Sequence, residues 1–197
     1  FEKVENFWQT DESMKADIDK QPLDVINAVV ITEGSQRVIA LENQEVDVSF
    51  VDTSDIHRFL NDDGTAADGW MVKAIQDMPQ LLFFNGSENS VFKDNEELRQ
   101  AIAYAIDSQA VRLGGGVPDG IGENVRTVGN STLGGYNTQW DEEDYYDYDP
   151  EKAKELLAKA GYEPGELTLK VMTLTNSGIT SAAAVVQSNL SDVGINM

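Results

Sequence analysis

Cysteine is missing from all 197 residues, which excludes disulfides, thiolate metal sites and a cysteine nucleophile together. The redox compartment stays open, because a cysteine-free chain suits either side of a membrane. Histidine is nearly missing too: His57 stands alone beside Ile56 and Arg58, without metal partners at ligand spacing, and reads as a surface or packing residue. Positive charge is scarce, with Lys+Arg 14 against Asp+Glu 35 and a net charge of −21. A field of that sign repels phosphate backbones and anionic headgroups, so nucleic acid is not an expected partner. No apolar run approaches the ~18 residues of a membrane span, and no basic start followed by an apolar stretch marks a signal peptide. There is no G-x-S-x-G elbow to expose a nucleophile. The glycines of "GGGVPDGIG" lack both the Lys-Ser/Thr pair of a phosphate loop and the spacing of a dinucleotide fingerprint. No metal, no cofactor and no catalytic residues are expected, and a binding protein that is not an enzyme is the reading that remains.

What is present is a core-forming α/β pattern. Hydrophobic residues make up 41% of the chain, enough for one large domain or two small ones. After a polar opening, "VINAVVI" (25–31) is β-branched and apolar on both faces, as in a strand covered by helices on each side. "TEGSQRVIALENQ" turns helical with Val38 and Leu41 inward, and "EVDVSFV" alternates as a second strand. Strand, helix and strand make a crossover unit that favours a parallel pair. "TSDIHRFL" reads as a short helix capped by Thr53 or Ser54, followed by a loop at 61–70 and a short strand at Leu81–Phe84.

The second half carries the sharper helix signals. In "VFKDNEELRQAIAYAIDSQAV", Leu98, Ala101, Ile102 and Ala105 recur on one face, Asp94 is placed to cap with Glu97 completing a capping box, and Asp107 to cap a shorter helix stopped by Gly114 to Gly116. "YDYDPEKAKELLAKAGY" has Asp149 as cap, Pro150 at the first helical position, a stripe of Ala153, Leu156, Leu157 and Ala160, an expected Glu155–Lys159 pair and Gly161 as stop. The acidic run Asp141 to Asp149 lacks the Gly turn and terminal Glu of an EF-hand loop and reads as a solvated loop ending in that cap. "ELTLKVMTL" alternates as a strand, "SGITSAAAVVQSNLSDVG" is helical, and "INM" starts another strand.

"VFKDNEELRQAIAYAID" resembles the signature of the family 5 extracellular solute-binding proteins, the peptide- and nickel-binding components of ABC importers, whose pattern runs pF.D..vRqAi.yAiD; Phe92, Asp94, Arg99, Gln100, Ala101, Ile102, Ala105, Ile106 and Asp107 match. "RVIALENQEVDV" is similar to the family's r..aL..GevDi, with Gln44 where Gly is usual, so a differently made turn is expected there. "YDYDPEKAKELLAKAGY" and "VVQSNLSDVGINM" supply two more similar segments in the right order. The resemblance implies an α/β fold of the type II periplasmic-binding-protein kind, two lobes closing on ligand, incomplete in this chain, which is expected to be an interior portion of a longer protein.

By the same resemblance, residues 1–82 are the end of the first lobe and 83–197 the start of the second, with the chain crossing near "LLFFN". The implied partners are a short peptide or other small solute and an ABC permease, for a monomer outside the cytoplasm that is lipid-anchored at full length. Leu81 and Phe83 share one strand face and are expected to look into the cleft, followed by Asn85. Ligands of open α/β sheets sit beyond the carboxyl ends of strands, which selects Thr173, Thr175, Asn176 and Ser177. The alternatives are core packing for Leu81 and Phe83 and helix capping for the Thr175–Ser177 stretch. A sensory domain of the same fold, or a binder of nickel chelate or another solute, is the alternative function, and the chain alone is expected to bind weakly or not at all.

Overall fold

The computed structural model describes residues 1–16, 22–74, 80–125, 127, 129, 134–142, 146–175 and 177–197, with the side chains of 141, 142 and 177 left aside. The chain divides into two compact units, Phe1–Phe50 and Val51–Met197.

In the first unit, α1 (Gly34–Glu42) buries Val38, Ala40 and Leu41, the inward face expected from the sequence plus one alanine. The segments on either side of α1 are extended but form no ladder. Val30 and Val48 are 89% and 88% exposed. They are tied instead by Arg37, whose Nη1 donates to Ile31 O at 3.2 Å and Thr32 O at 2.9 Å, and whose Nε donates to Phe50 O at 3.3 Å. The amino terminus lies against 24–26, with Ile26 N donating to Phe1 O at 2.8 Å and Lys3 N to Asp24 O at 2.8 Å.

In the second unit, α2 (Glu96–Ala105) packs against α4 (Pro150–Lys159), and α3 (Ser108–Gly114) against α5 (Ser177–Asp192). The predicted stripes meet: Leu98, Ala101, Ile102 and Ala105 join Ala153, Leu156 and Leu157 in one buried cluster, completed by Leu167, Leu169, Leu190, Val193 and Ile195. The crossover expected around α1 has no paired strands among the described residues; a parallel contact joins the segments on either side of α5 instead. Thr168 and Asn196 bridge in parallel, with Asn196 N donating to Leu167 O and Leu169 N to Asn196 O, both at 2.8 Å. Among the described residues, pairing is confined to this bridge and two antiparallel ones, Glu2–Val25 and Leu60–Ala66. The expected strands are therefore not assembled into a sheet among the described residues: Leu167, Leu169 and Ile195 are buried, while Val29, Val30, Val48, Phe50, Met172 and Leu174 are exposed.

The helix ends follow local chemistry. Asp107 accepts from Ala110 N at 3.0 Å and Asp149 from Lys152 N at 2.9 Å, as the sequence indicates. α2 differs: its cap is Asn95, which accepts from Leu98 N at 3.1 Å. Asp94 takes φ +52 and turns its carboxylate out beside Lys93, so the capping box with Glu97 does not form. Beside Ile56–Phe59, a single 3-10 turn, neither Thr53 nor Ser54 caps; Asp55 occupies that position without a side-chain capping bond, its carboxylate accepting from Ser54 Oγ at 3.4 Å instead. On α4, Lys154 pairs with Glu151 at 2.8 Å.

Each of α1, α3, α4 and α5 closes with the same pair of bonds, the 6→1 and 5→2 contacts of a Schellman motif. In α4 these run from Tyr162 N to Leu157 O at 3.0 Å and from Gly161 N to Ala158 O at 3.1 Å. In α1 they run from Glu45 N to Ala40 O at 2.9 Å and from Gln44 N to Leu41 O at 3.0 Å. Gly116, Gly161 and Gly194 occupy the left-handed position in three of them, and Gln44, at φ +60, occupies it in α1. The turn expected to be made differently is thus made the usual way, with a side chain where glycine is easier.

Candidate functional site

Phe84 is the anchored residue of 81–84: Leu82 and Phe83 are 45% and 81% exposed, so burial does not alternate along the segment. Phe84 stacks on Phe92 with ring centroids 4.8 Å apart, and both pack against the core cluster. Arg99 fixes that corner from α2, its Nη1 donating to Phe92 O at 2.6 Å. The Phe and Arg of the "VFKDNEELRQ" stretch thus work together, the ring closing the core while the guanidinium holds the loop that presents it. Phe83, one residue before Phe84, is 81% exposed, and Leu81 is half-buried. Asn85 is exposed, but its Oδ1 accepts from Ser87 N at 3.0 Å and shapes the turn that follows.

The second group lies at the entry to α5. Thr173 and Thr175 are exposed, as are Met172 and Leu174, at 96% and 72%. Asn176 lies outside the described residues, and Ser177 opens the helix. Phe84 and Val186 of α5 rest on the same buried cluster, while Leu81, Phe83, Asn85, Thr173 and Thr175 are not part of it.

Elsewhere the charged groups serve local structure. Arg112 gathers the 117–124 loop by donating to Val117 O at 2.8 Å and Asn124 Oδ1 at 3.0 Å and by pairing with Asp119. Asp63 accepts from Thr65 Oγ1 at 2.6 Å and Thr65 N at 3.0 Å, and these bonds hold its carboxyl below the usual range. Lys152 Nζ donates to the Tyr104 hydroxyl at 2.6 Å, which raises its pKa, while Tyr146 meets the Tyr104 ring edge-on at 5.2 Å. His57 is exposed, and among the described residues no cluster of three or more His, Asp or Glu is placed to hold a metal. No described Asp or Glu is buried; Asp52, Asp55 and Asp107 are half-buried and the rest exposed. The chemistry this arrangement offers is contact, with exposed apolar and hydroxyl groups on a braced frame.

Sequence reasoning missed the Arg37 and Arg112 clamps. Arg37 holds the main-chain carbonyls of Ile31, Thr32 and Phe50, and Arg112 holds Val117 O beside its pair with Asp119; a carbonyl acceptor is common to every residue and leaves no mark in the sequence.

Comparison with known proteins bears on this arrangement. The model of the bacterial extracellular solute-binding proteins, family 5 middle, matches residues 1–197. The dipeptide-binding protein of Escherichia coli is 28% identical over 185 residues, covering 89% of this chain and 32% of that protein. Heme-binding protein A of Haemophilus influenzae is 44% identical over 72 residues, 36% of this chain and 12% of that protein. Among solved structures, the ABC transporter substrate-binding protein CtaP of Listeria monocytogenes superposes with a TM-score of 0.61 at 19% identity, over 85% of this chain and 32% of that one. The chain thus spans about a third or less of the length of the relatives it matches.

Proposed function

The chain belongs to the bacterial extracellular solute-binding proteins, family 5, with their α/β type II periplasmic-binding-protein fold, and on that footing we propose that the whole protein captures short peptides outside the cytoplasm for an ABC permease. The observation that carries the peptide reading is the relation to the dipeptide-binding protein over 89% of this chain. In this reading residues 1–82 belong to one lobe and 83–197 to the other. Leu81, Phe83 and Asn85 at the crossing, and Thr173, Thr175, Asn176 and Ser177 ahead of α5, contribute to the cleft. Phe83 offers apolar area to a peptide side chain, and the hydroxyls of Thr173 and Thr175 offer donors and acceptors to a peptide backbone.

Binding is passive. Closure of the lobes on ligand selects the state that a permease accepts, with no covalent step. The protein acts as a monomer held by a lipid anchor at full length.

Calorimetry of the full-length protein against a panel of di- to pentapeptides tests this, with micromolar or tighter binding of at least one peptide expected. Silence across the panel, with heat from haem, a nickel chelate or another small solute, overturns the substrate class. The haem arm is included because of the relation to heme-binding protein A over 72 residues.

A further inference from the structure

Three consecutive glycines end α3, and each is pressed against a different neighbour. A Cβ on Gly114 would fall inside contact distance of Val185 Cγ2 on α5. One on Gly115 would sit 3.3 Å from both Ala182 Cβ and Gly178 O, in the first turns of the same helix. Gly116, at φ +82, would bring a Cβ to 3.0 Å from Thr53 O on the opposite side. The run is therefore more than a helix stop: it is a thin seam with α5 on one face and residues 53–54 on the other. Across it, the Thr53 hydroxyl donates to Gly115 O at 3.0 Å in a half-buried setting, over 62 residues of intervening chain. Gly115 O belongs to the helix-end carbonyls that the helix itself cannot satisfy, so the hydroxyl supplies a partner that would otherwise be lacking.

From this packing we propose that Thr53 is a positioning residue for the ligand site. Its hydroxyl holds the glycine seam against the first turn of α5, and so fixes where Thr173 and Thr175, which lead into that turn, present their side chains. The proposal rests on the reading above that these residues meet ligand. Neither Thr53 nor the seam is itself placed in contact with the solute.

The test uses the full-length protein in four forms: wild type, Thr53→Val, Thr53→Ser and Val38→Ala. The last loosens the buried face of α1, outside the cluster on which Phe84 and Val186 rest. Two quantities are read: Kd and dissociation rate for the tightest peptide of the panel, and amide hydrogen exchange across 178–182 without ligand. Loss of one helix-end hydrogen bond is expected to weaken peptide binding about fivefold, mainly through faster release, and to speed exchange in that first turn. Thr53→Ser restores both. Val38→Ala lowers the melting temperature but leaves Kd and the 178–182 exchange as in wild type.

Unchanged Kd in Thr53→Val, or an equal loss of affinity in Val38→Ala, overturns the proposal. A wild type silent to every peptide defeats the ligand reading instead, and the exchange arm still decides here: unaltered protection of 178–182 in Thr53→Val sinks the seam as a positioning device.

Discussion

Gln44→Gly is expected to stabilise the first unit, because the left-handed backbone at this position strains any residue with a Cβ. Gln44 has φ +60 and is exposed, so nothing is lost by removing its side chain beyond solvent contact. Relief of a left-handed conformation is worth about 1–2 kcal/mol, and the added freedom of glycine in the unfolded chain takes back roughly 0.4–1, leaving a net gain of about 0.5–1 kcal/mol. Gly161 provides the mirror experiment. It closes α4 with the same two bonds at φ +87, and a Cβ there meets no atom within 4 Å, so Gly161→Gln tests the backbone term without steric clash. It should cost about what Gln44→Gly gains. Urea unfolding followed by circular dichroism, together with exchange of the Glu45 and Tyr162 amides that close the two motifs, measures both. A neutral or destabilising Gln44→Gly alongside a neutral Gly161→Gln would show that the positive φ carries no strain, and the reasoning fails.

Asn95→Ala should cost about 1 kcal/mol through loss of the α2 cap, while Asp94→Ala should cost a few tenths at most; the reverse order in denaturant titrations would return the cap to Asp94. Phe84→Ala should destabilise by about 2–3 kcal/mol and Phe83→Ala by no more than about 0.5, with Phe83→Ala instead weakening solute binding by the full-length protein. Asp63 should titrate below an ordinary aspartate, and Thr65→Val should raise it part of the way by removing the hydroxyl bond while the backbone N–H bond stays, followed by carboxyl-carbon NMR. Because the folded-state pKa is the depressed one, the contribution of Asp63 is present above the unfolded value and is lost as pH falls through the folded one. A net charge of −21, with no described carboxylate buried, predicts that raising potassium chloride from 0.1 to 1 M increases the unfolding midpoint; a midpoint that falls would contradict net self-repulsion.

Local features were the legible ones. The stripes of α2 and α4, the caps Asp107 and Asp149, the stop at Gly161 and the inward face of α1 depend on residues within a few positions of one another, and each appears where the pattern puts it. Asp94 and Asn95 show where local reading ends. Both suit a cap, and the choice falls to the backbone, which takes positive φ at Asp94 and so aims the Asn95 carbonyl at Leu98 N. Strand pairing is a property of two distant segments, and apolar alternation in one of them does not supply its neighbour; Val48 and Met172 are accordingly extended and open. The glycine seam was visible as composition but not as contact, since its meaning depends on Thr53 and Gly178, far away in sequence.

The phenylalanine pair also limits how this segment can change over generations. Phe84 packs on Phe92 while Phe83, one residue earlier, is 81% exposed, so inserting or deleting one residue just before Phe84 would change which side chain meets Phe92. Drift here is confined to swaps at fixed length. In the proposed reading, in which Phe83 meets solute, new preferences would arise there while its neighbour keeps the frame intact.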